Sequence, residues 1–153
     1  MMRLWHYKLI PVLPRMQLLG QWREICAISK MILLDKTPNH SLVNKVVQYP
    51  AWMFMSYTYM VQQEMKRRGY HIYPPALYTQ NDNLMLAEEE GYFADDDLYD
   101  YNDYAFDPFP EWHNDRYLLQ CYFNLEEKYD CGMIPDAEWK LIEEFMLKQN
   151  VFL

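Results

Sequence analysis

Apolar residues recur along the chain at a helical period. Leu18, Trp22 and Ile25 fall at i, i+4 and i+7, with Leu19 and Cys26 flanking that stripe. This spacing predicts a helix from Met16 to about Lys30. Residues 1–15 read as extended chain punctuated by Pro11 and Pro14. Asp35 to Ser41, with Pro38 and Asn39, reads as a loop, and Ser41 as the cap of a short helix to about Gln48. Pro50 opens a longer helix through Arg68, and Gly69 follows in the position where helices stop. Lys66, Arg67 and Arg68 sit in its last turn, facing the negative end of the helix dipole. Asn114 reads as the cap of a helix from Asp115 to about Tyr129, and residues 131–135 as a turn with Gly132 and Pro135. Trp139, Ile142, Phe145 and Met146 then mark one face of a last helix from Asp136 to about Asn150. Trp22, Trp52, Tyr57 and Trp139 are expected in the core.

The stretch from 70 to 113 breaks this pattern. IYPPALY carries two adjacent prolines, which cannot stand inside a helix. EEE at 88–90 and DDDLYDYNDYAFD at 95–107 follow. From Asp82 to Asp115 there are twelve acidic residues and no Lys or Arg, interleaved with Tyr92, Phe93, Tyr99, Tyr101, Tyr104, Phe106 and Phe109. Residues 73–113 are therefore expected to form a long acidic, irregular segment draped on the surface and anchored by its aromatics. The sum is an all-α fold: one domain over 1–153, with four to five helices and one long acidic surface loop. No internal repeat is visible.

Composition narrows the class. With 153 residues, just over half of them hydrophobic, the chain is long enough for a core and too apolar to be disordered. No apolar run approaches the ~20 residues of a membrane span. The prolines interrupt the short apolar run that follows the basic start, which does not suit a signal peptide. Cys26, Cys121 and Cys131 are odd in number and irregularly spaced, so they read as reduced thiols of a cytoplasmic protein. No CxxC or HxxxH spacing offers a zinc site. Calcium binding through Asp95, Asp97 and Asp100 lacks the loop glycine and final glutamate of an EF-hand. Charge is the informative quantity. Residues 1–75 hold ten Lys/Arg and three Asp/Glu, a balance of +7, and residues 76–153 hold four and nineteen, a balance of −15. The whole chain is too acidic for a typical nucleic-acid binder, but its N-terminal half alone has that footprint.

MRLWHYKLIPVLPRMQLLGQWREICA, then HSLVNKVV and EMKRRGYHI, resemble a bacterial family related to the phage pyrimidine-dimer DNA glycosylase. The resemblance is close over residues 2–72, thin through the acidic segment, and resumes around PEWHNDRYLLQCYFNLEEK. Arg23-Glu24 and the E-M-x-x-R-G-Y run ending the long helix are its most specific pieces. It implies an all-α fold with the N-terminal segment threaded between helices, its terminal amine facing DNA. It further implies that this amine attacks the sugar C1′ of a damaged nucleotide, so that the base leaves and an imine to the protein remains. An α-amino group, with pKa near 8, is a better nucleophile at cellular pH than a lysine. By the same resemblance Glu24 stabilises the cationic transition state and shuttles protons for β-elimination. Arg3 and Arg23 fall where the family holds phosphates, which guanidinium forks suit. No metal or organic cofactor is implied. The implied partner is double-stranded DNA, damaged or abasic, with the target nucleotide flipped out.

The chain also departs from the family. Met1 is followed by Met2, too large for removal of the first methionine, so the amine belongs to Met1 or, if the true start is internal, to Met2. One residue moves it by about 3.5 Å. Gln17 stands where the phage protein has a histidine, and Ala27 where it has a further arginine. Lys30, Lys45 and the Lys66, Arg67, Arg68 cluster offer replacement DNA contacts. Each feature has a plainer reading: a solvated Arg-Glu pair, a surface ion pair for Arg3, a hydrogen-bonded structural His6, dipole compensation for residues 66–68. For the whole protein the alternative is a non-catalytic interaction protein of the same fold. There the acidic, aromatic segment 82–115 would bind a basic protein partner or mimic DNA.

Overall fold

The computed structural model describes residues 2–34, 40–96 and 107–151. Met1, the 35–39 loop and the acidic positions Asp97, Asp100 and Asp103 lie outside the described residues. Within them the chain forms a 3-10 helix (Tyr7–Val12) and six α-helices: α1 (Arg15–Leu34), α2 (Ser41–Val46), α3 (Ala51–Arg67), α4 (Pro74–Glu89), α5 (Asp115–Asp130) and α6 (Asp136–Leu147). The fold is all-α, and a single isolated bridge, Pro50 to Ala94, is the nearest thing to sheet among the described residues. None of their helices is long and apolar enough to cross a membrane.

α1 is the spine. Its expected stripe of Leu18, Trp22 and Ile25 is buried, Ile28 and Ile32 extend it inside, and α3 and α4 both pack on it. α3 stops as its sequence dictates. Gly69 takes φ +81°, a conformation costly for any residue with a Cβ. Gly69 N then reaches Lys66 O (3.0 Å) and Tyr70 N reaches Met65 O (2.9 Å), closing a Schellman turn. Asn114 caps α5, its Oδ1 accepting from Tyr117 N at 2.9 Å. In α6, Trp139 is flanked by Tyr129 and Tyr122 from α5, with ring centroids 5.0 and 5.5 Å away.

Three expectations are corrected. Residues 7–12 are a 3-10 helix rather than extended chain, with Pro11 inside it and His6 capping it through Nδ1. The residue before α2 is His40, and Ser41 is already helical. The largest correction is α4, which occupies residues 74–89 of the segment expected to be irregular. Its two prolines are the first two helical positions, where no intrahelical N–H is required. Leu77, half-buried, and the buried Gln80, Leu84 and Ala87 make an inward stripe against α1. Gln80 Nε2 donates to Ser29 Oγ at 3.1 Å, so a polar residue in that stripe is satisfied.

Candidate active site

The stretch from Met2 to His6 lies outside any helix and threads through the fold. Several of its backbone groups are met by side chains. Trp5 N donates to Gln21 Oε1 (2.8 Å), Gln21 Nε2 donates to Arg3 O (2.8 Å), and Tyr117 Oη donates to Leu4 O (2.7 Å). Tyr57 Oη lies 2.6 Å from Trp5 O and 2.9 Å from Gln21 Oε1, so its single proton faces two acceptors. Downstream, Tyr7 N donates to His113 Nδ1 (3.1 Å), and His6 Nε2 meets His113 O (2.9 Å). His6 Nδ1 accepts from Lys8 N, which puts the ring proton on Nε2. Both imidazoles are buried and neutral. Desolvation drives His6 down to about 4 against the opposing pull of the His113 carbonyl, and drives His113 well below its ordinary value. His6 is thus a hydrogen-bonded structural histidine in the core, as its plainer reading expects.

The thread delivers its first residues to Glu24. Arg3 N donates to Glu24 Oε2 at 3.0 Å, and Gln21 Nε2 approaches the same oxygen at 3.4 Å. Glu24 is half-buried, and desolvation raises its pKa. The Arg3 N–H and the positive charges of the amino terminus, Arg23 and Arg3 pull it back. In front of it lies a cavity of about 240 Å³, walled by Arg3, Trp5, Gln17, Glu24, Asn124 and Lys128 among others. Gln17 Oε1 is buried with no hydrogen-bond partner among the described residues. The Arg3 guanidinium lies over the Trp5 ring, 5.3 Å from its centroid. Arg23 is exposed, and its Nη2 lies 3.7 Å from where a β-carbon on Gly20 would stand. Gly20 also lines the cavity, so the Arg23 guanidinium lies close to its wall.

The structure therefore gathers Arg3, Gln17 and Glu24 around one cavity, with Arg23 close by. It sets the other expected DNA contacts apart. Lys30 lines a separate groove of about 390 Å³ between α1 and α4, with Cys26, Ala27, Tyr73 and Thr79. Lys66 is exposed at the end of α3. Arg67 and Arg68 both bind Glu64, and Arg68 also donates to the carbonyls of Leu13 (2.8 Å), Pro11 (3.2 Å) and Ile10 (3.3 Å). Burial pushes the Glu64 carboxyl up, but its hydrogen bonds and ion pairs with these arginines outweigh that and hold it low.

Two wall residues are absent from the sequence reading. Asn124 and Lys128 stand one turn apart on α5 and reach the cavity from the acidic half of the chain. Their spacing places them on one helix face, but nothing local says which wall that face meets.

Residues 2–77 match the family model described as pyrimidine dimer DNA glycosylase. No curated protein and no solved structure matches the chain. The matched stretch holds the thread, α1 to α3, and the hydrogen bond from Arg3 to Glu24. It ends before Asn124 and Lys128. Over residues 2–77, just under half of its length, this chain is similar to the pyrimidine dimer DNA glycosylase family.

Proposed function

We propose that the protein is a DNA repair glycosylase with abasic-site lyase activity, acting on pyrimidine dimers or abasic sites in duplex DNA. Its nucleophile is the N-terminal amine. The observation that carries this reading is the 3.0 Å hydrogen bond from Arg3 N to Glu24 Oε2. It brings the backbone just after Met2 onto a carboxylate at the edge of a cavity of about 240 Å³. An amine on Met2 lies one residue from that bond, about 3.5 Å of chain, and an amine on Met1 one residue further.

The chemistry then balances. The amine nitrogen forms a bond to C1′ as the bond to the base breaks, and the base leaves with that electron pair and a proton. The amine loses its proton, the sugar ring opens, and a C1′=N imine remains. Glu24 stabilises the cationic transition state, then takes a proton from C2′. The electrons of that C–H bond expel the 3′ phosphate, and water finally hydrolyses the imine and frees the amine. A carboxyl raised by burial suits this alternation of proton acceptor and donor. Arg3 and Arg23 are the phosphate clamps at the cavity, with Gln17 and Lys128 on its wall and Lys30 further along α1. The chemistry calls for no metal or organic cofactor, and a cytoplasmic protein with reduced thiols would meet its DNA substrate there.

The test is borohydride trapping on duplex DNA carrying one abasic site, using untagged protein. A covalent adduct that disappears when the N-terminus is acetylated is the expected result. Glu24→Gln should cut turnover at least about 100-fold while leaving DNA affinity in place. No adduct from folded, untagged protein would overturn the reading. It would leave a non-catalytic protein whose acidic segment 82–115 seeks a basic partner.

A further inference from the structure

Gln21 is the most heavily bonded side chain in the thread's surroundings. It is 1% exposed. Its oxygen accepts from Trp5 N at 2.8 Å and faces Tyr57 Oη at 2.9 Å. Its nitrogen donates to Arg3 O at 2.8 Å and faces Glu24 Oε2 at 3.4 Å. A glutamine amide has two donors and two acceptor sites; here both donors face an acceptor, one acceptor site takes the Trp5 N–H, and the other shares the single Tyr57 proton with Trp5 O. The orientation is fixed by its neighbours, since a flipped amide would set nitrogen against the Trp5 N–H and oxygen against the Arg3 carbonyl.

One amide therefore does two jobs. It fixes the backbone on both sides of Leu4, and so sets how far the thread advances toward Glu24. It also stands, with Arg3 N, against one oxygen of Glu24, which leaves the other oxygen without a hydrogen bond from the described residues. We infer that Gln21, held by Tyr57, is a positioning residue that sets the distance and orientation between the N-terminal amine and the Glu24 carboxylate. A slip of the thread by one residue would move the amine about 3.5 Å, more than a bond-forming approach tolerates. This inference rests on the glycosylase-lyase reading for its consequence in catalysis, but not for its physical content.

The informative variant is Gln21→Glu. It keeps the acceptor toward Trp5 N and Tyr57 Oη. It replaces the NH₂ group with an oxygen facing the Arg3 carbonyl and Glu24, removing a donor and adding a like charge beside the carboxylate. Two readouts are taken on untagged, full-length protein. The first is the titration of the Glu24 carboxyl, followed by carbon NMR on the protein without DNA. The second is the pH dependence of imine formation on abasic duplex, with DNA affinity measured in parallel.

The expected result is a Glu24 titration and an acid limb both moved up by about one pH unit or more, tenfold in proton affinity. The neutral-pH rate should fall about tenfold with DNA affinity unchanged. A merely structural role would lower stability without moving the acid limb. A folded Gln21→Glu protein with wild-type titration and wild-type rate profile overturns the inference. Wild-type protein that forms no imine at all sinks the glycosylase-lyase reading, and the carboxyl titration still decides whether Gln21 governs Glu24. If Gln21→Glu does not fold, Tyr57→Phe takes its place. It removes the hydroxyl that fixes Gln21 Oε1, and the same two readouts should move in the same direction by a smaller amount. Their staying put overturns the inference.

Discussion

Arg68, with Arg67, binds Glu64 and reaches back to the carbonyls of Ile10, Pro11 and Leu13. Arg3 and Arg23 meet no carboxylate within ion-pair distance among the described residues, and one lines the Glu24 cavity while the other lies close to its wall. As sequence the two groups look alike, basic residues on the positively charged half of the chain. The fold separates them by what each has already bound. Glu64 is only 7% exposed, so a phosphate that displaced it from Arg68 would strand a buried carboxylate. The exposed Arg23 guanidinium has no such cost, and Arg3, half-buried with its guanidinium over Trp5 and an Nη1 near Cys121 Sγ, holds no buried carboxylate that a phosphate would strand. Net charge points to a basic half, but the availability of each cation is decided by its neighbours.

The largest break in this comparison is Arg68→Met. It keeps much of the apolar stem while removing the charge, leaving the Ile10, Pro11 and Leu13 carbonyls unmet and Glu64 with Arg67 alone. Folding stability should fall by about 3 kcal/mol, read by urea unfolding. The salt dependence of DNA binding by the folded fraction should not change. A variant of wild-type stability but weakened, flatter salt dependence would reverse the assignment and make Arg68 a phosphate contact.

Acid sharpens the same contrast. A histidine whose folded pKa lies below its unfolded value loses stability as pH falls, because the unfolded chain binds the proton first. His6, at about 4 against an ordinary 6.5, contributes about 3 kcal/mol above pH 6.5 that drains away between 6.5 and 4. His113 acts in the same direction. The Glu64 carboxyl is held low, so its contribution is full above its ordinary value of 4.5 and is lost only below it. Between pH 6.5 and 4.5, protection from hydrogen exchange should therefore fall at Tyr7 N and Lys8 N, which donate to the two imidazoles. Arg68 N, bonded to Glu64 O at 3.1 Å, should stay protected by comparison. Equal protection across that range would show that the thread does not depend on neutral histidines.

The contrast also marks what can be read from the chain. α1, the stop at Gly69 and the Asn114 cap rest on local signals: a 3.6 period, a positive-φ glycine, a side chain three residues from an N–H. α4 was hidden because Pro74 and Pro75 break a helix interior yet are well suited to its first turn, and because its inward stripe includes a glutamine. The Glu64 pairings at i+3 and i+4 are within reach of spacing rules. The Arg68 bonds to the 3-10 helix span more than fifty residues, and nothing local announces them. Arg3 and Glu24 are joined in the sequence reading only through the family resemblance. Gln21, Asn124 and Lys128 enter only once the thread and α5 are in place, because each acts across the fold.

The smallest effect is the most direct measure of which cations meet DNA. Each phosphate contact releases condensed counterions, so losing one should reduce the slope of log affinity against log salt by about 0.9. Arg23→Gln should show that reduction, with folding stability changed by no more than about 0.5 kcal/mol because the residue is exposed and forms no ion pair among the described residues. Arg67→Gln is the matched control: also exposed, also on a helix, but bound to Glu64. If its slope stays at the wild-type value while that of Arg23→Gln drops, prior pairing rather than charge selects the DNA contacts. If both slopes drop alike, the duplex reaches the end of α3 as well, and the Glu64 pairing is loose enough to be shared with phosphate.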